Sequence, residues 1–194
     1  MNAPAKRVLV TGGGGYLGRQ VVTALAQGLS SDAARCLVSL DVREVPAELR
    51  LGAVIHAAAD IRDKSLVALL RAQRIDTVVH LAAIVTPGKK TDRDFEYQVD
   101  VEGTRNVLQA CTAAGVRHVV ISSSGAAYGY HADNPAWLSE TDAIRGNHEF
   151  PYSLLRSCSG NSRGFTLRMA SASKTPGHAP AYRPSQASTP AASS

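Results

Sequence analysis

Residues Thr11-Gly12-Gly13-Gly14-Gly15-Tyr16-Leu17-Gly18 set four consecutive glycines between an apolar run, Arg7–Thr11, and the spaced residues Leu17, Val21 and Leu25. The run before the glycines is too short for a helix, and the residues after it recur every four positions, so the order is strand, glycine loop, helix. Such a loop gathers bare backbone N–H groups at one point, and the following helix aims its positive end there. The pyrophosphate of a dinucleotide needs both, because side chains would hold it away from the backbone. The spacing fits Gly-x-Gly-x-x-Gly at Gly13, Gly15 and Gly18, or Thr-Gly-x-x-Gly-x-x-Gly at Gly12, Gly15 and Gly18, and the sequence does not choose between them. The bland alternative is a flexible turn that binds nothing.

Outward from the loop, apolar runs recur at Cys36–Leu40, Ala53–Ala57, Thr77–Ala83 and His118–Ser122, giving five strands with Arg7–Thr11. Between them lie helical patterns: Leu66, Leu69 and Leu70 on one face, then Phe95, Val99, Gly103, Val107 and Cys111 on another. Strands apolar on both faces and separated by helices predict a parallel sheet covered on both sides. The expected fold is α/β, a doubly wound parallel sheet of the Rossmann type that stops after the fifth strand and the start of the following helix.

The second strand ends at Asp41, 23 residues after Gly18. A carboxylate there accepts from ribose hydroxyls and repels a 2′-phosphate, which favours NAD over NADP. Arg43, two residues on, could pair with a 2′-phosphate, but it reads better as a surface arginine at a helix start.

The chain has 194 residues, 44% hydrophobic and 19% charged, which is ordinary for a globular protein and allows one domain. Its formal charge of +5 is localised: residues 153–194 hold Arg156, Arg163, Arg168, Lys174 and Arg183 and no acid, and the remaining 16 basic residues balance the 16 acidic ones. A neutral body argues against a nucleic-acid partner, and the basic tail has few aromatics, Tyr182 among them. No apolar stretch is long enough for a membrane helix, and Lys6-Arg7 runs into glycines rather than a leader, so the expected location is cytoplasmic. Cys36, Cys111 and Cys158 form no CxxC pair, and His56, His80 and His118 sit in strand patterns without ligand spacing, so no metal site is expected. Residues 1–152 read as the dinucleotide-binding domain. Residues 153–194 read as a low-complexity, disordered tail, in which only Gly164–Met169 could form a short strand or turn.

Further motifs agree in order. Ala59-Asp60-Ile61-Arg62-Asp63 ends the third strand, His80-Leu81-Ala82-Ala83 the fourth, and Gly103-Thr104-Arg105-Asn106 lies on a helix, with Asp100 where Asn is common. Ser122-Ser123-Ser124-Gly125-Ala126-Ala127-Tyr128-Gly129 follows the fifth strand. Over residues 7–152 the chain resembles the extended short-chain dehydrogenase/reductase family, the group of NAD-dependent epimerases, dehydratases and related steroid dehydrogenases. The resemblance implies that Gly12, Gly15, Tyr16, Leu17 and Gly18 cradle the pyrophosphate. It implies that Asp60 and Ile61 meet the adenine, and that Leu81, Ala82 and Ala83 lie along the cofactor. Ser124 is implied as the catalytic hydroxyl, and a homodimer through the helices headed by Thr91–Asp94 and Tyr152.

The family's catalytic signature is Tyr-x-x-x-Lys, and here Tyr152 is followed four residues on by Arg156. Positions i and i+4 share a helix face, so the cation reaches both phenol and ribose. A tyrosine must fall about 3 units from its ordinary value to act as a base near neutrality, about 4 kcal/mol, and the cation supplies much of that. Arg156 keeps the charge, but its planar guanidinium does not take the ammonium's place, so impairment is expected. The family's later strands and substrate-closing region cannot be read after Tyr152. The tail reads as foreign to the family, through a frameshift, splicing or mis-assembly, or else the chain is a truncated paralogue. The resemblance thus implies hydride transfer at a carbinol or carbonyl of a sugar nucleotide or similar small molecule, impaired in this chain. The alternative is a dinucleotide-binding module without catalysis.

Overall fold

Five short parallel strands form one sheet in the order β3-β2-β1-β4-β5 in the computed structural model, which describes residues 6–28, 36–84, 92–148 and 152–153. β1 (Arg7–Thr11) pairs with β2 (Cys36–Asp41) from Arg7↔Cys36 to Thr11↔Leu40, and with β4 (Thr77–His80) from Val8↔Thr77 to Thr11↔His80. β3 (Ile55–Ala58) extends the sheet beyond β2, and β5 (His118–Ile121) beyond β4. Between β1 and β4 the order reverses, and the carboxyl ends of these two strands flank the crevice where open α/β sheets take ligands.

Leu9, Val38, Leu40 and Val78 form one buried face, under α2 (Leu66–Ala72) and α4 (Thr104–Ala114), which contribute Leu66, Leu70, Val107, Ala110 and Cys111. Val8, Val10 and Leu37 form the other, under Val22 of α1 (Tyr16–Gly28). Side chains of this size add about 1.5–3 kcal/mol each on full burial.

The element order is as expected, and the bounds differ where hydrogen bonding runs out. The fourth strand stops at His80 because β1, its partner, ends at Thr11; Leu81–Ala83 continue past the ladder. The third begins at Ile55 because the amide of Val54 is spent in a turn, on the carbonyl of Leu51 (2.9 Å). On α1 the buried residues are Gly18 and Val22, and Leu17 is 51% exposed, because the helix packs through the face that touches its own glycine loop. The third helical pattern is interrupted: α3 (Arg93–Tyr97) runs into a π-helical turn, Gln98–Gly103, before α4. The wider turn rotates the face upstream of it, so Phe95 is exposed and Glu96 buried, while Val107 and Cys111 downstream keep the expected inward placement. Arg156, Cys158, Thr91 and the tail from residue 154 lie outside the described residues.

Candidate dinucleotide site and catalytic residues

The loop after β1 is closed by its own backbone. The amide of Gly13 donates to the carbonyl of Leu40, and that of Gly15 to the carbonyl of Gly12, both at 3.0 Å. Gly12 has φ +68°, and a Cβ on it would lie 2.8 Å from the amide nitrogen of Ala82. A Cβ on Gly18 would lie 2.0 Å from the carbonyl oxygen of Gly12. Gly12 makes the turn against the segment after β4, and Gly18 lets α1 sit on the loop, while a Cβ on Gly13 would crowd Ser39 Oγ. Gly15 is different, since a Cβ there meets only the Gly12 oxygen, at 3.2 Å. No other heavy atom would lie within 4 Å of it. Tyr16 and Leu17, 82% and 51% exposed, open α1, where first-turn amides have no helical carbonyl to bond.

Asp41 braces this loop. Its Oδ2 accepts from the amide of Gly14 (3.0 Å) and its Oδ1 from that of Arg43 (3.2 Å), so the carboxylate is fixed beside the glycines at the end of β2. That structural half of its role has no local sequence signal.

On the β4 side a buried polar chain sets the opposite wall. Thr104 Oγ1 donates to the carbonyl of Asp100 (2.6 Å), so the same oxygen accepts from His80 Nε2 (3.0 Å). His80 Nδ1 is then left to accept from Thr11 Oγ1 (2.7 Å). The Thr11 oxygen in turn accepts from the amides of Leu81 (3.2 Å) and Ala82 (3.3 Å). Thr11, the residue before the glycines, therefore fixes Leu81 and Ala82, and Ala83 follows them, half-buried. His80, 2% exposed, belongs to this chain of bonds.

Asp60 and Ile61 part company. Asp60 holds Arg62 through contacts of 2.6 and 3.0 Å, and the Arg62 guanidinium keeps the Asp60 carboxyl below its ordinary range. Ile61 is buried, and a Cβ on Gly103 would come within 2.7 Å of its Cδ1. Its side chain packs in the core, so its backbone is what the loop after β3 presents. Asn106, whose role the sequence did not reveal, donates to the carbonyls of Ile61 (2.7 Å) and Asp63 (3.0 Å) and holds this loop on α4.

Ser124 caps a 3-10 turn, Gly125–Tyr128, accepting from the amide of Ala126 (3.2 Å). That bond uses a lone pair and leaves the hydroxyl hydrogen to donate. Burial, reinforced by Glu140 and Asp142, pushes the Tyr128 phenol up, which keeps it protonated near neutrality. Tyr152 is half-buried and begins a helical turn with Ser153. Ser153, the first residue of the compositional tail, is fully buried; its hydroxyl donates to the carbonyl of Ala126 (2.6 Å) and accepts from the amide of Asn147 (2.9 Å). Ser124 and Ser153, the neighbour of Tyr152, thus both bond Ala126. Among the described residues no cluster of three His, Cys, Asp or Glu side chains could hold a metal ion, and no helix is long and apolar enough to cross a membrane.

The sequence model of the NAD dependent epimerase/dehydratase family matches residues 8–160. The chain belongs to that family. Within it, the UDP-glucose 4-epimerase of Erwinia amylovora is 34% identical over 146 residues, 72% of this chain and 42% of that protein. A short-chain dehydrogenase/reductase superfamily protein from Agrobacterium tumefaciens, solved with bound NAD, superposes with a TM-score of 0.62 at 32% identity, covering 79% of this chain and 43% of that one. The UDP-glucose-4-epimerase of Stenotrophomonas maltophila, solved with NAD and formylated UDP-arabinopyranose, gives a TM-score of 0.65 at 30% identity, covering 78% and 46%. The chain spans less than half the length of these epimerase/dehydratase relatives.

Proposed function

We propose that this chain binds NAD through the loop of Gly12, Gly15 and Gly18, and that it carries the cofactor half of a sugar-nucleotide epimerase or dehydratase with little turnover of its own. The observation that carries the reading is the cradle itself: Cβ atoms at Gly12 and Gly18 would collide with backbone, while the face of Gly15 is left bare. Asp41, already fixed by two amides, would take the ribose hydroxyls. Asp60, the Ile61 backbone and Leu81–Ala83 would line the rest. Bound NAD would supply the hydride acceptor and donor. Tyr152 would move the proton at the substrate carbinol oxygen, and Ser124 would donate its hydroxyl hydrogen to that same oxygen.

A second reading, a dinucleotide-binding module without catalysis, is favoured by Arg156 at the position of the family lysine. A homodimer through the helices headed by Thr91–Asp94 and Tyr152 accords with the exposure of Phe95 and Tyr97 on the first of them, 45% and 43%. Unpaired thiols at the buried Cys36 and Cys111 suit a reducing, cytoplasmic setting.

The deciding experiment is titration of the purified chain with NAD and with NADP. NAD should bind more tightly, by about tenfold, roughly 1.4 kcal/mol, and Asp41→Ala should narrow the gap. Equal affinities in the unmodified chain would overturn the role of Asp41 and the preference together.

A further inference from the structure

We infer that Ser153 is a positioning residue, whose hydroxyl fastens the turn carrying Tyr152 to the turn carrying Ser124. The inference rests on the reading of Tyr152 and Ser124 as the catalytic pair, and it adds what holds them in register. Ser153 is completely buried, and its Oγ donates to the carbonyl of Ala126 at 2.6 Å. The same oxygen accepts from the amide of Asn147 at 2.9 Å, while Asn147 Oδ1 accepts from the amide of Tyr130 at 2.6 Å. Ala126 is held at both ends, its N–H on Ser124 Oγ (3.2 Å) and its carbonyl on Ser153 Oγ. A hydroxyl buried this deeply is costly unless bonded, and this one is bonded as donor and acceptor. Because successive Cα atoms are about 3.8 Å apart, an anchor at Ser153 fixes the root of the Tyr152 side chain as well. A displacement of about 1 Å between catalytic groups costs on the order of 100-fold in rate, so the register matters.

The test uses the full chain, labelled with ¹³C in its tyrosine rings, with and without NAD, the Tyr152 signal being assigned through Tyr152→Phe. Ser153→Ala should shift or split the Tyr152 signal and diminish its response to NAD, while NAD affinity stays within about twofold, since the phosphate cradle is untouched. Ser153→Thr, which keeps the hydroxyl, should restore both. A Tyr152 signal that superimposes in Ser153→Ala and the unmodified chain overturns the proposal. If NAD leaves the signal unmoved in the unmodified chain and Ser153→Ala displaces it, the catalytic reading fails and the anchoring stands. Should Ser153→Ala lose its circular dichroism spectrum, Ser153→Cys decides instead: it keeps the volume and weakens the bond to Ala126, so an unshifted signal there also overturns the proposal.

Discussion

At Gly15 and Gly18, three residues apart, an added side chain should have opposite meanings. Gly15→Val should cost at least about 100-fold in NAD affinity, roughly 2.7 kcal/mol, with an intact circular dichroism spectrum, because a Cβ there meets the Gly12 oxygen at 3.2 Å and no other atom of the fold within 4 Å. Gly18→Ala should instead destabilise the domain by about 2–3 kcal/mol in denaturant titration, because its Cβ would be driven into the Gly12 carbonyl. Retained NAD affinity in folded Gly15→Val would remove the loop as the site. A third residue, Asp60, carries a pH signature. Its carboxyl is held below the ordinary value of 3.8 chiefly by Arg62, so its contribution to stability is present above about pH 4 and is lost as the pH falls through its lower folded value. Asp60→Asn should flatten the acid limb of a stability-versus-pH curve in that window; an unchanged limb would show that the ion pair does not contribute. The place of Asp41 at the end of the second strand was legible in the sequence. His80 and Asn106 were not, since their partners lie 24 to 69 residues away and no local pattern records them.

At the scale of elements, α2 and α4 end in the same way with different residues. After α4, the amide of Val116 bonds the carbonyl of Cys111 and that of Gly115 bonds Thr112, with Gly115 at φ +74°. After α2, Ile75 bonds Leu70 and Arg74 bonds Arg71, with Arg74 at φ +47°. Both are Schellman endings, and glycine occupies the left-handed position in one of them only. A non-glycine residue in that conformation costs roughly 1–2 kcal/mol, partly offset by the greater freedom glycine has when unfolded. Arg74→Gly should therefore raise stability by about 0.5–1 kcal/mol, read as a higher denaturant midpoint with unchanged slope. A lowered midpoint would mean that the arginine side chain contributes more than its backbone loses. Periodicity found every helix and strand of the sheet, yet it misassigned Leu17 and Phe95, because it assumes an uninterrupted helix lying on the sheet. The first helix leans on its glycine loop, and the π-helical turn breaks the phase of the third pattern.

For the whole molecule, the expectation is that the chain as given reduces NAD with UDP-glucose or a hydroxysteroid at no measurable rate, and that Arg156→Lys does not rescue it. One substitution can restore the lysine of the family pattern four residues after Tyr152. It cannot supply the orientation and exclusion of water for which relatives have the half of their length that this chain does not match. Joining the carboxyl-terminal half of a related epimerase after Ser153 should give activity where the point change does not. Ordinary turnover by the unmodified, monodisperse chain would show that residues 1–194 suffice.

The sheet order also dictates a timetable. β1 leads the chain but lies at the middle of the sheet, and its second neighbour begins 69 residues later, at Thr77. At about 5–20 residues per second, the ribosome makes that partner roughly 3–14 s after β1 is synthesised. During that wait the valines and leucine of β1 have only β2 and α1 to shelter them, and the edge meant for β4 is open to any strand nearby. The first strand of the sheet to be synthesised is thus among the last to be sealed, and a trigger for misassembly, or a client segment for a chaperone, is to be sought at residues 7–11 of the nascent chain.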